Sequence, residues 1–214
     1  MKFHIICEGG TDNEILEKLI KIIIKKNIEF IEPSNTQRKN RGVSSITKAS
    51  ILHKFLHYSF QNKADYIIIC RDNDECKISE DGVPNNYYEL LSSYNRFYQK
   101  YCDSYCHNPI NVIVIPIQTI DYWMLAGVRN DHNPVNIRQI EKLPKQGIKE
   151  KVYGESNINP IGAPYESTFQ NKLEIAITEN TVNNVLIHLP SFKEFYKTIS
   201  SSAIDLKAGN TTQV

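Results

Sequence analysis

Carboxylates follow three apolar runs in the first part of the chain. They are Glu8 after the first run, Asp72 and Asp74 after the second, and Asp121 a short way beyond the third. Carboxylates that share one crevice repel each other and hold protons unless a cation lies among them. Mg²⁺, or Mn²⁺ in its place, is the cation we expect, because it prefers oxygen ligands and serves phosphate chemistry. The pattern therefore predicts a metal site made of these four residues.

Each acid also has a plainer interpretation. Asp72 and Asp74 lie two residues apart, so both point to one face if strand geometry continues, but the same pair also suits a solvated turn. Glu8 can bind the metal or act as a general base, or it can cap the helix that follows. Asp121 can complete the acidic cluster, or it can be the N-cap of a helix beginning at Tyr122.

Three basic residues are candidates for contacting a phosphate. Arg41 lies in a polar loop before a predicted helix, and Lys48 lies in the first turn of that helix. Helix N-termini favour phosphate, so we expect both residues to bind nucleic acid. Arg71 lies between an apolar run and Asp72, so it can pair with the acids or with a phosphate. The ordinary alternative for Arg41 and Lys48 is solvated surface charge.

Apolar runs of strand length alternate with segments of helical periodicity. The predicted strands cover residues 3–7, 28–31, 66–70 and 112–115. The predicted helices cover residues 13–26 and 87–101, with a second helix starting after Ser44 or Ser45 and a short one from residue 122. This order predicts a parallel α/β sheet flanked by helices. Ligands of such sheets bind beyond the carboxyl ends of the strands, where the acids lie.

The composition changes after Gly127, where prolines, asparagines and lysines become frequent. We predict a catalytic domain over residues 1–126 and a small, mostly helical C-terminal extension over 127–214 that packs on it. Helices are predicted over residues 168–177 and 191–199, and the tail from about residue 200 is expected to fray.

The overall charge gives no general case for binding nucleic acid. There are 25 basic and 24 acidic residues, so the formal net charge is +1 and any basic patch must be local. No apolar stretch reaches transmembrane length, and the start of the chain leads directly into a strand, so we expect neither a membrane span nor a signal peptide. Five cysteines, two of them in predicted core strands, favour reduced thiols and a cytoplasmic location. Self-association is compatible with this composition.

Three motifs together resemble the Toprim domain, the catalytic fold of topoisomerases, primases and OLD-type nucleases. Residues 6–12 read Ile-Cys-Glu-Gly-Gly-Thr-Asp, residues 72–74 read Asp-Asn-Asp, and residues 115–125 carry Ile-Pro, an acid, Trp and Leu in the spacing of small stand-alone Toprim-like proteins. The resemblance covers roughly residues 3–126. It departs from the fuller Asp-x-Asp-x-Asp form at Cys76, where a third acid is expected.

The resemblance implies a Mg²⁺-dependent nuclease that acts on DNA or RNA. Glu8 is then a metal ligand or general base, and Lys48 takes the place of the lysine that OLD-type nucleases hold near their metals. Some small Toprim-like proteins accompany an ATPase in phage-defence or abortive-infection systems, so an ATPase partner is expected. No phosphate-binding loop of the Gly-x-x-x-x-Gly-Lys-Ser/Thr type is present, so ATP use has to come from that partner.

Two other functions remain open from the sequence. One is a non-catalytic subunit that keeps the Toprim fold as a docking module, and Cys76 in the place of an acid favours it. The other is a transferase that uses Asp72 and Asp74 to hold a metal–nucleotide-sugar. Such transferases generally need a larger acceptor domain, and they do not require a Glu-Gly turn after the first strand.

Overall fold

The computed structural model describes residues 1–34, 37, 46, 48–73, 84–116, 119–129, 133–144, 146–154 and 163–209, and for 163–167 and 202–209 it describes the backbone alone. The strands are β1 (Lys2–Ile6), β2 (Glu29–Phe30), β3 (Tyr66–Cys70) and β4 (Ile110–Val114). The helices are α1 (Gly10–Ile24), α2 (Ala49–Gln61), α3 (Asn85–Tyr101), α4 (Asp121–Val128), α5 (Pro134–Ile140), α6 (Ile148–Tyr153), α7 (Ala163–Ala176), α8 (Glu179–Asn184) and α9 (Pro190–Gly209).

The four strands form one parallel sheet in the order β2-β1-β3-β4, with Ile5 of β1 opposite Ile68 of β3. The predicted parallel sheet flanked by helices is thereby confirmed. All five residues of β3 are buried, which explains why its sequence is a continuous apolar run and does not alternate with polar residues.

Side chains of successive strand residues enter two separate cores. Ile68 and Cys70 point into the core formed with α1 and the helices from α4 onward. Ile67 and Ile69 point into the core formed with α2 and α3. The two helix layers therefore lie on opposite faces of the sheet, as the alternation of a β-strand requires.

Strand β2 is short because of Pro33. The carbonyls of Met1 and Phe3 accept hydrogen bonds from the amides of Glu29 and Ile31. The next donor in this ladder would be residue 33, and proline has no amide hydrogen. The side chain of Gln37 replaces it, because its Nε2 donates to the carbonyl of Ile5 at 3.3 Å. The strand predicted over residues 28–31 is thus reduced to two residues.

The C-terminal helices pack around α4, whose residues Asp121–Ala126 are all buried. Trp123 donates from Nε1 to Ser191 Oγ at 2.8 Å, and its ring meets Phe192 edge-on at 5.2 Å. Gly127 lies against the backbone of Ala176 in α7, where a Cβ atom would come within 2.1 Å of the carbonyl oxygen. Residues after 127 therefore share a core with β1 and β3. The division at residue 126 stays a prediction.

Several element bounds differ from those predicted. Strands β1 and β4 each end one residue earlier, and α1 begins at Gly10 and not near residue 13. Helices α5, α6 and α8 were not predicted, and the backbone of α9 stays helical to Gly209, beyond the expected end at 199. Among the described residues, no helix combines the length and the apolar character needed to cross a bilayer.

Candidate functional site

The order of the strands places a crevice between the carboxyl ends of β1 and β3. From β1 the chain goes to β2 on one side, and from β3 it goes to β4 on the other. The connections after β1 and β3 therefore lead to opposite faces, which is the switch point where open α/β sheets bind ligands. Glu8 lies two residues after the end of β1, and Arg71 and Asp72 follow β3.

Pairing with β4 continues beyond the end of β3. The amide of Arg71 donates to the carbonyl of Val114 at 3.1 Å, and the amide of Asn73 donates to the carbonyl of Pro116 at 3.3 Å. Residues 71–73 are thus held as an extended strand. The side chain of Arg71 consequently points to the face of α3, and that of Asp72 points to the opposite face.

Glu8 and Arg71 form one half of the site. Arg71 Nε lies 4.0 Å from Glu8 Oε1, and Arg71 Nη1 donates to Glu89 Oε2 in α3 at 2.8 Å. The Glu8 and Arg71 side chains are only 11% and 16% exposed, so little water screens their attraction. Arg71 therefore pairs with an acid, one of its two predicted roles, and holds Glu8 toward the α3 face.

Asp72 forms the other half of the site, at the start of α4. Its Oδ1 accepts a hydrogen bond from the amide of Ile120 at 3.3 Å, and its carbonyl accepts one from Asn86 Nδ2 at 3.1 Å. Glu8 and Asp72 thus lie at the same edge of the sheet, as predicted, but lean toward different helices. Asp74, the partner predicted for Asp72, lies outside the described residues.

Asp121 is the first residue of α4, and Ile120 is the N-cap, so the predicted capping role of Asp121 is not found. Its Oδ2 accepts from Thr119 Oγ1 at 3.1 Å, and its Oδ1 accepts from Tyr153 Oη at 2.9 Å. Asp121 also lines a cleft of about 400 Å³ whose other walls are Thr119 and residues 146–150. Its carboxylate is therefore fixed in place at the rim of a solvent-filled cleft.

Asp12 brings a further carboxylate to this edge. Its Oδ2 accepts from the amide of Gly9 at 2.9 Å and so stabilises the start of α1. Burial and the charge of Asp121 raise the pKa of Asp12 to about 6, and the nearby Lys149 partly offsets this. Burial raises the pKa of the Cys70 thiol as well, with contributions from Asp12 and Asp72. Burial makes the largest contribution to both shifts, the acidic neighbours add to it, and a cation at this edge would favour the ionised form of Asp12.

Of the basic candidates, Lys48 and Arg71 lie within the described residues. Lys48 is exposed and is the N-cap of α2, just before the helix, where its carbonyl accepts from the amides of Ile51 and Leu52. Helix α2 ends shortly before β3 begins, so it runs antiparallel to the strands along one face of the sheet. Its first turn therefore lies near the carboxyl ends of the strands. The N-caps of α2 and α3 make no side-chain hydrogen bond to the first turn, which leaves amide donors for an anion. Arg41 lies outside the described residues.

No protein-family model, curated protein or solved structure matches this chain. The Toprim resemblance therefore rests on the three motifs alone, and the general parallel α/β architecture is what the structure establishes.

A metal ion needs several ligands at one point. Within the described residues, no three His, Cys, Asp or Glu side chains are grouped closely enough to hold one. The physical reason is the alternation after β3, which turns Arg71 and its partner Glu8 away from Asp72. The predicted ligands are thus brought to one edge but not to one point, and the contribution of Asp74 is not described.

The sequence did not reveal three residues of this edge. They are Asp12, Lys149 and Tyr153, none of which is among the predicted site residues. Tyr153 lies 32 residues from Asp121, and no local motif links the two. Only the packing of α6 against α4 brings them together.

Proposed function

We propose that this protein is a metal-dependent phosphodiester hydrolase of Toprim type that acts on DNA or RNA. One observation carries the proposal: Glu8 and Asp72 each lie two residues beyond the end of a strand, and these two strands flank the switch point of the sheet. The three Toprim-like motifs support the same location. Phosphodiester chemistry is favoured because acids and helix N-termini meet at this edge.

Carboxylate oxygens are the ligands that Mg²⁺ or Mn²⁺ prefers, and a cation here would offset the burial and the charge of Asp121 that together raise the pKa of Asp12. Asp72, Asp74 and Glu8 would hold the ion, with Asp121 as a further candidate ligand. When bound, the ion would supply an activated water and neutralise charge on the phosphate. Arg71 lies beside Glu8, with its Nε 4.0 Å from Glu8 Oε1. Glu8 can then accept a proton from the attacking water.

Basic residues around this edge would bind the nucleic-acid backbone. Lys48 projects from the uncapped start of α2, and Arg41 and Arg71 are the further candidates. A formal net charge of +1 gives weak unaided binding, because affinity for nucleic acid depends on the number of phosphate contacts. We therefore propose that the chain is the effector subunit of an ATPase-linked anti-phage or abortive-infection system, and its five cysteines favour a cytoplasmic location.

A cleavage assay tests this function. Purified protein is incubated with DNA and with RNA in Mg²⁺ or Mn²⁺, alone and with the product of a neighbouring ATPase gene. Glu8→Ala should lower the cleavage rate at least 100-fold, in line with losses for a general base. Glu29→Ala is the matched control, because Glu29 is an exposed glutamate at the opposite edge of the sheet. Equal rates for Glu8→Ala and wild type would contradict the mechanism.

A non-catalytic docking subunit is the second candidate. It is favoured because Arg71 Nε already lies 4.0 Å from Glu8 Oε1 and two hydrogen bonds occupy the carboxylate of Asp121. In that case the chain binds its ATPase partner in a pull-down, but no metal supports cleavage with or without the partner. Cleavage that depends on Glu8 would exclude it.

A further inference from the structure

Two cysteines lie side by side at the floor of the crevice. Ile6, the last residue of β1, pairs with Ile69 of β3, and Cys7 and Cys70 are the residues that follow this pair along the chain. Adjacent strands run about 4.8 Å apart, and residues in register point to the same face. Both side chains do so, since Cys70 belongs to the core on the α1 face and Cys7 packs against that core. Neither is in a disulfide.

Their spacing suits a disulfide. Such a bond needs Cα atoms roughly 4.4–6.8 Å apart and Cβ atoms roughly 3.5–4.5 Å apart. The strand spacing satisfies the first range, and a small approach of the two strand ends satisfies the second. To form the bond, Cys7 gives up the hydrogen bond from its Sγ to the carbonyl of Gly9, 3.1 Å away. We propose that Cys7 and Cys70 form a cross-strand disulfide when the protein meets a peroxide.

The order of the two steps follows from exposure. Cys7 is partly exposed and Cys70 is buried, so a peroxide reaches Cys7 first. The Cys7 thiolate attacks hydrogen peroxide and gives a sulfenic acid and hydroxide. The sulfur of Cys70 then attacks the Cys7 sulfur, and water leaves with the proton of Cys70. In sum, two thiols and one hydrogen peroxide give one disulfide and two waters. Cys70 reacts only with its neighbour, because solvent does not reach it.

The bond would act on the crevice through the next two residues. Glu8 follows Cys7, and Arg71 follows Cys70. Drawing the strand ends together changes the spacing of the Glu8–Arg71 pair and of the backbone that carries Asp72. We therefore expect oxidation to lower nucleic-acid cleavage and reduction to restore it. This consequence rests on the proposed function, whereas formation of the disulfide does not.

Mass spectrometry tests the bond directly. Wild type and a variant with Cys76, Cys102 and Cys106 changed to serine are treated with stoichiometric hydrogen peroxide. Both should yield a peptide in which Cys7 is joined to Cys70, and the variant should lose two hydrogen atoms of mass and regain them with a dithiol. Cys7→Ser and Cys70→Ala should each abolish this joined peptide. Oxygen added to Cys7 without a cross-link in wild type would overturn the proposal.

Cleavage is then measured on oxidised and reduced wild type. A fall of tenfold or more in the cleavage rate on oxidation supports regulation of cleavage by the disulfide. This fall should be reversed by the dithiol and absent in Cys7→Ser. An unchanged cleavage rate in the cross-linked protein contradicts regulation by the disulfide but not formation of the disulfide. Absence of cleavage in both states, with the cross-link formed, contradicts the proposed function and not the disulfide.

Discussion

His4 should make the fold sensitive to acid. Its ring is fully buried in β1, with Nε2 3.0 Å from Gln37 Oε1 and Nδ1 2.5 Å from Ser59 Oγ. Burial lowers the pKa of His4 from 6.5 to about 4, although the hydrogen bond to Gln37 acts in the opposite direction. The folded protein therefore holds His4 neutral at pH values where the unfolded chain takes up a proton.

The sign and size of the effect follow from this pKa. Because the folded pKa lies below the unfolded value, the stabilisation is fully present above pH 6.5 and is lost as the pH falls toward 4. Each pKa unit corresponds to about 1.4 kcal/mol, so the full effect is about 3 kcal/mol. Between pH 7.5 and pH 4.5 the free energy of unfolding should fall by about 2.5 kcal/mol through His4 alone.

Urea unfolding at pH values from 4.5 to 7.5 measures this loss. His4→Gln is expected to be less stable than wild type at neutral pH but to lack the acid-dependent loss of about 2.5 kcal/mol. His188→Gln is the matched control, because His188 lies outside the buried network, and it should keep the loss. Parallel pH profiles of wild type and His4→Gln would refute the reasoning.

Two substitutions test other parts of the fold. Gln37→Leu leaves the buried carbonyl of Ile5 without its donor and should lower the free energy of unfolding by about 1–3 kcal/mol in urea titrations. An unchanged urea midpoint of unfolding would show that water replaces the side-chain amide of Gln37. Gly127→Ala forces a Cβ atom against the backbone of Ala176 and should cost more than about 2 kcal/mol. Gly154→Ala, in open space at φ +87, should cost only the left-handed strain of about 1 kcal/mol, and equal losses would contradict the close approach.

The strands were predicted well where burial dictates the sequence. Residues 66–70 are apolar because helices cover both faces of β3, and the predicted bounds are those observed. The shortening of β2 could also have been predicted, since Pro33 has no amide hydrogen for the ladder. The role of Gln37 could not, because Gln37 lies 32 residues from Ile5 and no local motif links the two.

The short helices after residue 128 were missed for a physical reason. Helices α5, α6 and α8 have six or seven residues each, too few to show a periodic apolar face. Local signals for two of them were nevertheless present. Asn133 caps α5 ahead of Pro134 at its first turn, and Thr178 caps α8 by accepting from the amide of Thr181. Helix α6 depends on packing against α4.

The location of the candidate site was predictable, but the directions of its side chains were not. Acids after apolar runs must meet at the carboxyl edge of a parallel sheet, and Glu8 and Asp72 do. Their directions depend on the backbone beyond β3, where hydrogen bonds from the amides of Arg71 and Asn73 to the carbonyls of Val114 and Pro116 keep the chain extended. That extension sets Arg71 and Asp72 on opposite faces, which no residue pattern within 71–74 indicates. The metal and its nuclease role stay predictions.

Binding of Mn²⁺, followed by electron paramagnetic resonance, tests the central claim most directly. Mn²⁺ is titrated into wild type, Asp72→Asn and Asp103→Asn, with circular dichroism to confirm that each variant is folded. Asp103 is an exposed aspartate remote from the crevice and serves as the control. The account predicts a bound ion in wild type and in Asp103→Asn, at least tenfold weaker binding in Asp72→Asn, and loss of cleavage in Asp72→Asn alone. Equal binding by Asp72→Asn and wild type would contradict it.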